Sequence, residues 1–258
     1  MPHRTTTLQD KTPPAPGNIF TELASVDSTN NYAMAQAHAG KAFHGNVFFA
    51  HEQTQGKGQR GKKWVAAPGE NIMMSVVLVP EKLPINEQFL LSASIALSCY
   101  DLLNKYLPGE ISIKWPNDLY IGDRKAGGIL IDNILSGNNW KYAIVGIGIN
   151  INQTQFEEFL INPASLRQAT GKTFDVTDLA RELCSCIEKR NAQLQLEKMD
   201  EIIAEYNQHL YKRTKQVQLK KGDKVFKTTI VEVTAKGKLI TVDKKQRSFD
   251  FGEVVWLR

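Results

Sequence analysis

The stretch EQTQGKGQRGKKW, Glu52 to Trp64, is where the choice of fold class turns. Gly56, Gly58 and Gly61 have the G-x-G-x-x-G spacing of a dinucleotide-binding turn, while Gly56 through Lys62 have the G-x-x-x-x-G-K spacing of a P-loop. Either reading would make the chain an α/β protein, because both need a helix directly behind the glycines, its N-terminus facing the phosphates. That helix has no room to form. Pro68 and Gly69 interrupt WVAAPGENIMMSVVL, and the next regular run, from Asn71, is strand-like. A P-loop also ends in Ser or Thr, where this chain has Lys63. What remains is a glycine-rich loop between two strands, carrying Lys57, Arg60, Lys62 and Lys63. From this segment alone it is either an anion cradle, open to ligand because glycines lack Cβ, or a solvated basic loop.

The flanking pattern predicts an α+β fold. IFTELASV alternates like a strand, Asp27 or Ser28 can cap the short helix NNYAMAQAHA, and Gly40 is placed to end it. GNVFFAH and NIMMSVVLVP read as strands on either side of the loop, and behind Pro84 INEQFLLSASIALSCYDLLNKY is apolar enough all round to be the main core helix. EISIKW, LYIG, KAGGILIDNIL and WKYAIVGIGININ follow as four strands joined by short turns, which makes them antiparallel neighbours. Helical periodicity returns in DVTDLARELCSCIEKRNAQLQLEKMDEIIAEYNQHL. Beyond Lys212 the chain alternates apolar and polar with Gly at the turns, as four or five short strands closing a small barrel would. The expected division is a flexible tail over 1–17, a main domain over 18–212 and a barrel over 213–258.

Composition narrows the setting. No run approaches the length of a membrane span, and the polar N-terminal segment has no apolar signal core, so a cytoplasmic protein is expected. Cys99, Cys184 and Cys186 lie in apolar helical runs without histidines at ligand spacing and read as reduced core thiols. A net charge of +5 favours anionic partners without choosing among nucleotides, acidic proteins and nucleic acid.

Four segments together are more specific: VDSTNNYA (Val26–Ala33), QTQGKGQRGKKW (Gln53–Trp64), KWPNDLY (Lys114–Tyr120) running into DRKAGGIL, and GIGININ (Gly146–Asn152). Their order and spacing resemble the biotin protein ligase family, in a short form without an N-terminal DNA-binding domain. The resemblance implies a mixed, mostly antiparallel sheet with flanking helices, similar to class II aminoacyl-tRNA synthetases, followed by an SH3-like barrel. It implies ATP with Mg2+ as cofactors, biotin as substrate, biotinyl-5′-AMP as intermediate, and a biotin carboxyl carrier protein domain as acceptor. Residue by residue, it casts Lys125 as the lysine that reaches the biotin carboxylate and the α-phosphate, with Lys57 and Arg60 as further catalytic cations. Ser28, Thr29, Asn30 and Gln53 become contacts of the ureido ring, and Gly56, Lys57, Gly58 and Gln59 the loop against biotin. Gly58, Gln59, Arg60, Trp64, Asn117 and Asn150 border the adenylate, Asp118 holds the metal, and Glu253 lies where the barrel approaches ATP.

The residue types suit that chemistry. A carboxylate attacking a phosphate brings two anions together, so fixed positive charge and positioning are the main requirement. A buried ureido group without partners would cost roughly 2 to 7 kcal/mol, so polar side chains must line its end of the pocket. Ser28-Thr29-Asn30 alone reads equally as a helix cap. The loop departs from the family's G-R-G-R-x-G: Lys57 stands at the first arginine and Gln59 at the second, with Arg60 one step later. Either Arg60 swings in to restrain the phosphate, or the intermediate is held less tightly. Only 27 residues precede Ser28, too few for a winged helix, so no sequence-specific DNA binding is expected. Two rivals remain: a lipoate or octanoyl transferase of the same superfamily, and a nucleic-acid module built on YKRTKQVQLKKGDKVFK, with seven basic residues and one acid.

Overall fold

The structure, a computed structural model, describes Gly17 and residues 19–257 other than 138, 159 and 197. The expected flexible tail lies outside these residues except for Gly17, whose N–H donates to Gly45 O. The chain runs β1 (Ile19–Leu23), α1 (Thr29–His38), β2 (Asn46–Ala50), β3 (Asn71–Leu78), α2 (Gln88–Tyr106), β4 (Ile111–Lys114), β5 (Asp118–Ile121), β6 (Arg124–Ser136) and β7 (Asn139–Asn150). Then come α3 (Leu166–Thr170), α4 (Val176–Gln195), α5 (Met199–Gln208) and strands β8 (Gln216–Lys221), β9 (Lys224–Val233), β10 (Leu239–Val242), β11 (Gln246–Phe249) and β12 (Val255–Leu257). Among the described residues β1 to β7 form one sheet in the order β1-β2-β3-β7-β6-β5-β4, and the last five form a second, antiparallel sheet in the order β11-β10-β9-β8-β12. The fold is α+β. The first sheet is mixed because β1 and β2, joined through α1, pair in parallel while its other neighbours are antiparallel.

Period-two alternation divides the large sheet's faces. Ile72, Met74, Val76 and Leu78 of β3, with Val145, Ile147 and Ile149 of β7, enter the main core with Leu90, Leu97 and Leu103 of α2 and Leu179, Leu183 and Ile187 of α4. Residues of opposite parity face the other side. There Ala33 and Ala37 of α1 pack on Phe48, Val77 and Ile144 in a smaller cluster that covers only one end of the sheet. The rest of that face is available for a site.

Arg190, with its side chain 4% exposed, ties the helices together. Its Nε and Nη2 donate to Asp101 on α2, both at 2.8 Å, and Nη1 and Nη2 donate to Glu205 on α5 at 2.5 and 2.7 Å. Those bonds hold the Glu205 carboxyl below its ordinary range. Arg190→Met would strand two partly buried carboxylates and is expected to cost about 3 kcal/mol in urea unfolding, with ligand binding unaffected. Because the Glu205 pKa is depressed on folding, its contribution is present above the unfolded carboxylate value and lost as pH falls through the folded one. The gap between parent and variant should therefore shrink at acid pH.

Candidate active site

Strand register builds the floor. Met73, Gly148, Gly128, Asp118 and Lys114 are consecutive cross-strand partners over β3, β7, β6, β5 and β4, all on the open face. The row beside it runs Ser75, Gly146, Leu130. The glycines leave a gap in each row, and a side chain from elsewhere lies in it. A β-carbon at Gly148 would sit 2.5 Å from Trp64 Cε2, and one at Gly146 would sit 2.3 Å from Asn30 Oδ1. GIGIN is thus a strand whose buried face is isoleucine and whose open face is left bare for two inserted side chains.

At the α1 end the inserted groups are polar and mutually bonded. Gln53 Oε1 accepts from Thr29 N at 2.7 Å and from Thr29 Oγ1 at 3.1 Å. The Ser75 hydroxyl lies 2.8 Å from Thr29 Oγ1 and 2.6 Å from Asn30 Oδ1, and Asn30 Nδ2 donates to Asp132 Oδ2 at 2.9 Å. Ser28 is the N-cap residue of α1, yet its side chain makes no capping bond; the amide of Gln53, from another segment, caps Thr29 instead. Ser28, Thr29 and Asn30 are all buried. Ser75 and Asp132 escaped the sequence reading. For Ser75 the signal was present, a polar residue inside the apolar run IMMSVVL on the parity opposite the core, while Asp132, next to Asn133 in ILIDNIL, gave no such contrast.

At the other end Lys125 Nζ donates to Asp118 Oδ1 at 2.6 Å, beside Gly128. Simple alternation would turn Lys125 toward the helices, with Gly127 and Ile129. A register shift between Leu119 and Tyr120 places Tyr120 opposite Lys125 while Leu119 faces Gly127, so the extra residue, Ala126, turns Lys125 onto the open face. Beyond Asp118, Lys114 Nζ donates to Tyr120 Oη and lies 4.7, 5.6 and 5.1 Å from the rings of Tyr120, Tyr211 and Trp256. Burial pushes its ammonium down to about 8, against the pull of Asp118.

The glycine-rich segment is a folded hairpin, not an unstructured loop. Trp64 N donates to Gly56 O and Gly58 N to Lys62 O, with a single 3-10 turn over Gln59–Gly61. Lys57 reaches back to the Asn31 side chain, which in turn bonds Asp27. Arg60 adopts a left-handed conformation, φ 56°, so it and Gln59 diverge. Gln59 lies over the sheet, its Nε2 donating to Ile129 O at 3.3 Å, while Arg60 leaves toward the second sheet, Nη1 donating to Gly252 O at 3.3 Å. Gln59 Oε1 and Trp64 Nε1 are buried and without a hydrogen-bond partner, so both remain to be satisfied. A cavity of about 570 Å3 opens along the segment leaving Trp64, between Val65–Pro68 and Gln153–Glu157.

Three of the expected residues make hydrogen bonds within the protein. Asn117 Nδ2 donates to Ile129 O at 2.5 Å, and Asn150 Nδ2 to Ala164 O at 2.9 Å, bracing the strands around Lys125. Glu253 accepts from Lys221 and from Asp250 N. Of the remaining expected side chains, Thr29, Asn30, Gln53, Gln59, Trp64, Asp118 and Lys125 gather on or over the one open face, Ser28 is buried at the start of α1, Lys57 bonds Asn31 of α1 and Arg60 turns away to Gly252.

Comparison with known proteins agrees with this geometry. The Biotin/lipoate A/B protein ligase family matches residues 22–150, half of the chain. The bifunctional ligase/repressor BirA of Salmonella typhimurium is 34% identical over 181 residues, covering 70% of this chain and 54% of that protein. This chain thus spans about half the length of the curated relatives of that kind. The biotin--[acetyl-CoA-carboxylase] ligase of Paracoccus denitrificans is 32% identical over 180 residues, covering 67% of this chain and 72% of that one. In fold, the biotin protein ligase of Aquifex aeolicus, solved with biotin and ATP, superposes with a TM-score of 0.79 over 93% of this chain and 99% of that chain, at 24% identity. A bare strand flanked by a polar cluster and a bulge-turned lysine, and a sequence match across half the chain, together make this protein a member of the biotin/lipoate A/B protein ligase family.

Proposed function

We propose that the protein activates biotin with ATP and transfers it to a lysine of a biotin carboxyl carrier protein domain. The carboxylate oxygen attacks the α-phosphorus, the bond to the β-phosphate breaks and pyrophosphate leaves. The acceptor amine, having lost its proton, then attacks the acyl carbon, and AMP leaves as the C–O bond breaks. The observation that carries the reading is the distribution of polarity along one open face: the hydrogen-bonding side chains of Thr29, Asn30, Gln53 and Ser75, backed by Asp132, at one end and a lysine–aspartate pair at the other.

Thr29, Asn30 and Gln53 suit a ureido ring, which needs donors and an acceptor but no charge. Ser28 completes that rim. Lys125 suits the other end, where the substrate carboxylate and the α-phosphate meet and where a cation stabilises the charge that develops between them. Lys57 and Gln59 cover biotin from the hairpin, with Gly56 and Gly58 in its backbone. Trp64 offers its ring to the adenine, and a polar ligand there would satisfy its unpartnered Nε1. Asn117 and Asn150 act by holding the strands that carry Lys125 and Trp64's floor.

Magnesium fits in a limited way. Among the described residues there is no group of three or more His, Cys, Asp or Glu that could hold a metal. Asp118 provides one carboxylate, so the ion would arrive with ATP and keep phosphate oxygens and water as its other ligands. Bound there, it supplies charge neutralisation on the triphosphate. Among the described residues no helix is long and apolar enough to cross a membrane, and Cys99, Cys184 and Cys186 are free thiols; a cytoplasmic setting is part of the proposal.

Incubation with α-labelled ATP and either biotin or lipoate tests the reading. A labelled biotinyl adenylate is expected with biotin and little with lipoate. Absence of product with biotin would end the proposal, and product with lipoate alone would move the protein to the other branch of its family.

A further inference from the structure

The hairpin over the sheet is fastened at one point outside its own domain. Arg60, at its tip, extends to the turn Asp250–Glu253 of the second sheet, where Nη1 meets Gly252 O and the guanidinium carbon lies 5.8 Å from the Phe251 ring centre. The two surfaces fit closely. Gly252 has φ 85°, and a β-carbon there would come within 2.3 Å of Arg60 Nη1. Arg60 is itself held left-handed, a conformation that a residue with a side chain keeps only when its surroundings enforce it.

The turn that receives the arginine is braced. Lys238 pairs with Asp250 at 2.9 Å, Lys221 pairs with Glu253 at 2.8 Å, and Glu253 also accepts from Asp250 N at 3.0 Å. Phe251 stands edge-on to Trp115, 6.2 Å between ring centres, and Trp115 Nε1 donates to Gly237 O at 2.9 Å. Phe251 nevertheless remains 49% exposed. Its ring faces a cation.

We propose that the Asp250–Glu253 turn is a latch that holds the glycine-rich hairpin closed through Arg60, making Phe251 and Gly252 positioning residues for whatever lies beneath the hairpin. That the ligand is biotin rests on the function proposed above; the latch itself does not. In this arrangement consecutive residues divide the labour. Gln59 faces inward over the sheet and Arg60 faces outward to the second domain, so Glu253 acts by bracing the receiving turn.

The test uses the full chain and an endoproteinase that cuts after lysine, because Lys57, Lys62 and Lys63 are exposed on the hairpin. A cation–π contact at a surface corresponds to a change of about threefold in the open population, and the same contact together with one hydrogen bond to about tenfold. Phe251→Ala, which removes only the ring contact, is expected to speed cleavage at these lysines about threefold with an unchanged melting temperature, Arg60→Ala, which removes both contacts, about tenfold, and the double variant no more than Arg60→Ala alone. Phe251→Tyr, which keeps the ring, should be cut at the parent rate. The KM for biotin should rise in Phe251→Ala by a similar factor while kcat stays. Cleavage of Phe251→Ala at the parent rate, or strictly additive effects in the double variant, would overturn the latch. Coupled cleavage effects with no response to biotin in either KM or protection would uphold the latch and count against biotin as the ligand.

Discussion

Lys125→Ala is expected to lower the rate of adenylate formation by about 100- to 1,000-fold, the range for removing one preorganised charge contact at a transition state. The substitution removes the cation that the β6 bulge brings beside Asp118, and it leaves that carboxylate, with 26% of its side chain exposed, facing two incoming anions. Both effects act in the same direction. Pyrophosphate release, followed with biotin and ATP saturating, reads the first half-reaction alone. Unaltered turnover would refute the role. Lys125→Arg should recover only part of the loss, because the guanidinium is larger and would have to share the space above Gly128, whose Cβ position is 3.5 Å from Lys125 Nζ.

Gly148→Ala is the second large effect. A single methyl group added to β7 would overlap Trp64 Cε2, Cζ2 and Cδ2 at 2.5, 2.7 and 2.9 Å, all within one rigid indole. Neither partner yields easily. Gly148 is paired on both sides, with Met73 and Gly128, and Trp64 N is bonded to Gly56 O, so the ring must leave the sheet and take the hairpin's return strand with it. Overpacking of this kind costs about 1 to 3 kcal/mol in stability, which the fold should survive. Nucleotide affinity should suffer far more, falling roughly 100-fold if the displaced ring loses about 2.7 kcal/mol of contact. Calorimetry with ATP in the presence of biotin measures it. An affinity within twofold of the parent would show that Trp64 is packing rather than a ligand platform.

Much of the architecture was legible before any coordinates. The short turns around Pro116, Gly122 and Gly137 made β4 to β7 antiparallel, and Pro68-Gly69 ruled out the helix that either phosphate-binding template needs. These are local matters: proline removes a donor and fixes φ, glycine frees it, and alternation of apolar residues follows from the pleat. Four ordered motifs brought the family within reach, and with it Thr29, Asn30, Gln53, Asp118 and Lys125 as residues to find on one face. The second sheet, too, was visible as a change in periodicity after Lys212.

Other features depended on contacts between distant segments. α4 and α5 read as one helical stretch, since neither Pro nor Gly separates them; α4 ends at Gln195 and α5 begins at Met199, and Ile202 and Tyr206 of α5 enter the core. The parallel pairing of β1 with β2 comes from α1 crossing the sheet. Arg60 leaves the site for Gly252, a residue 192 positions away.

Sequence by itself determined which segments would be strands, which loop would carry the glycines and which family's motifs the chain contains, because each depends on interactions among near neighbours along the backbone. Tertiary structure alone decided that a one-residue shift beside Leu119 turns Lys125 to the open face, that two glycines of β7 receive Asn30 and Trp64, and that Gln59 and Arg60 point apart. Side-chain direction in a sheet reverses with every residue, so a site assembled across five strands depends on register, and register is a property of the paired strands rather than of either one.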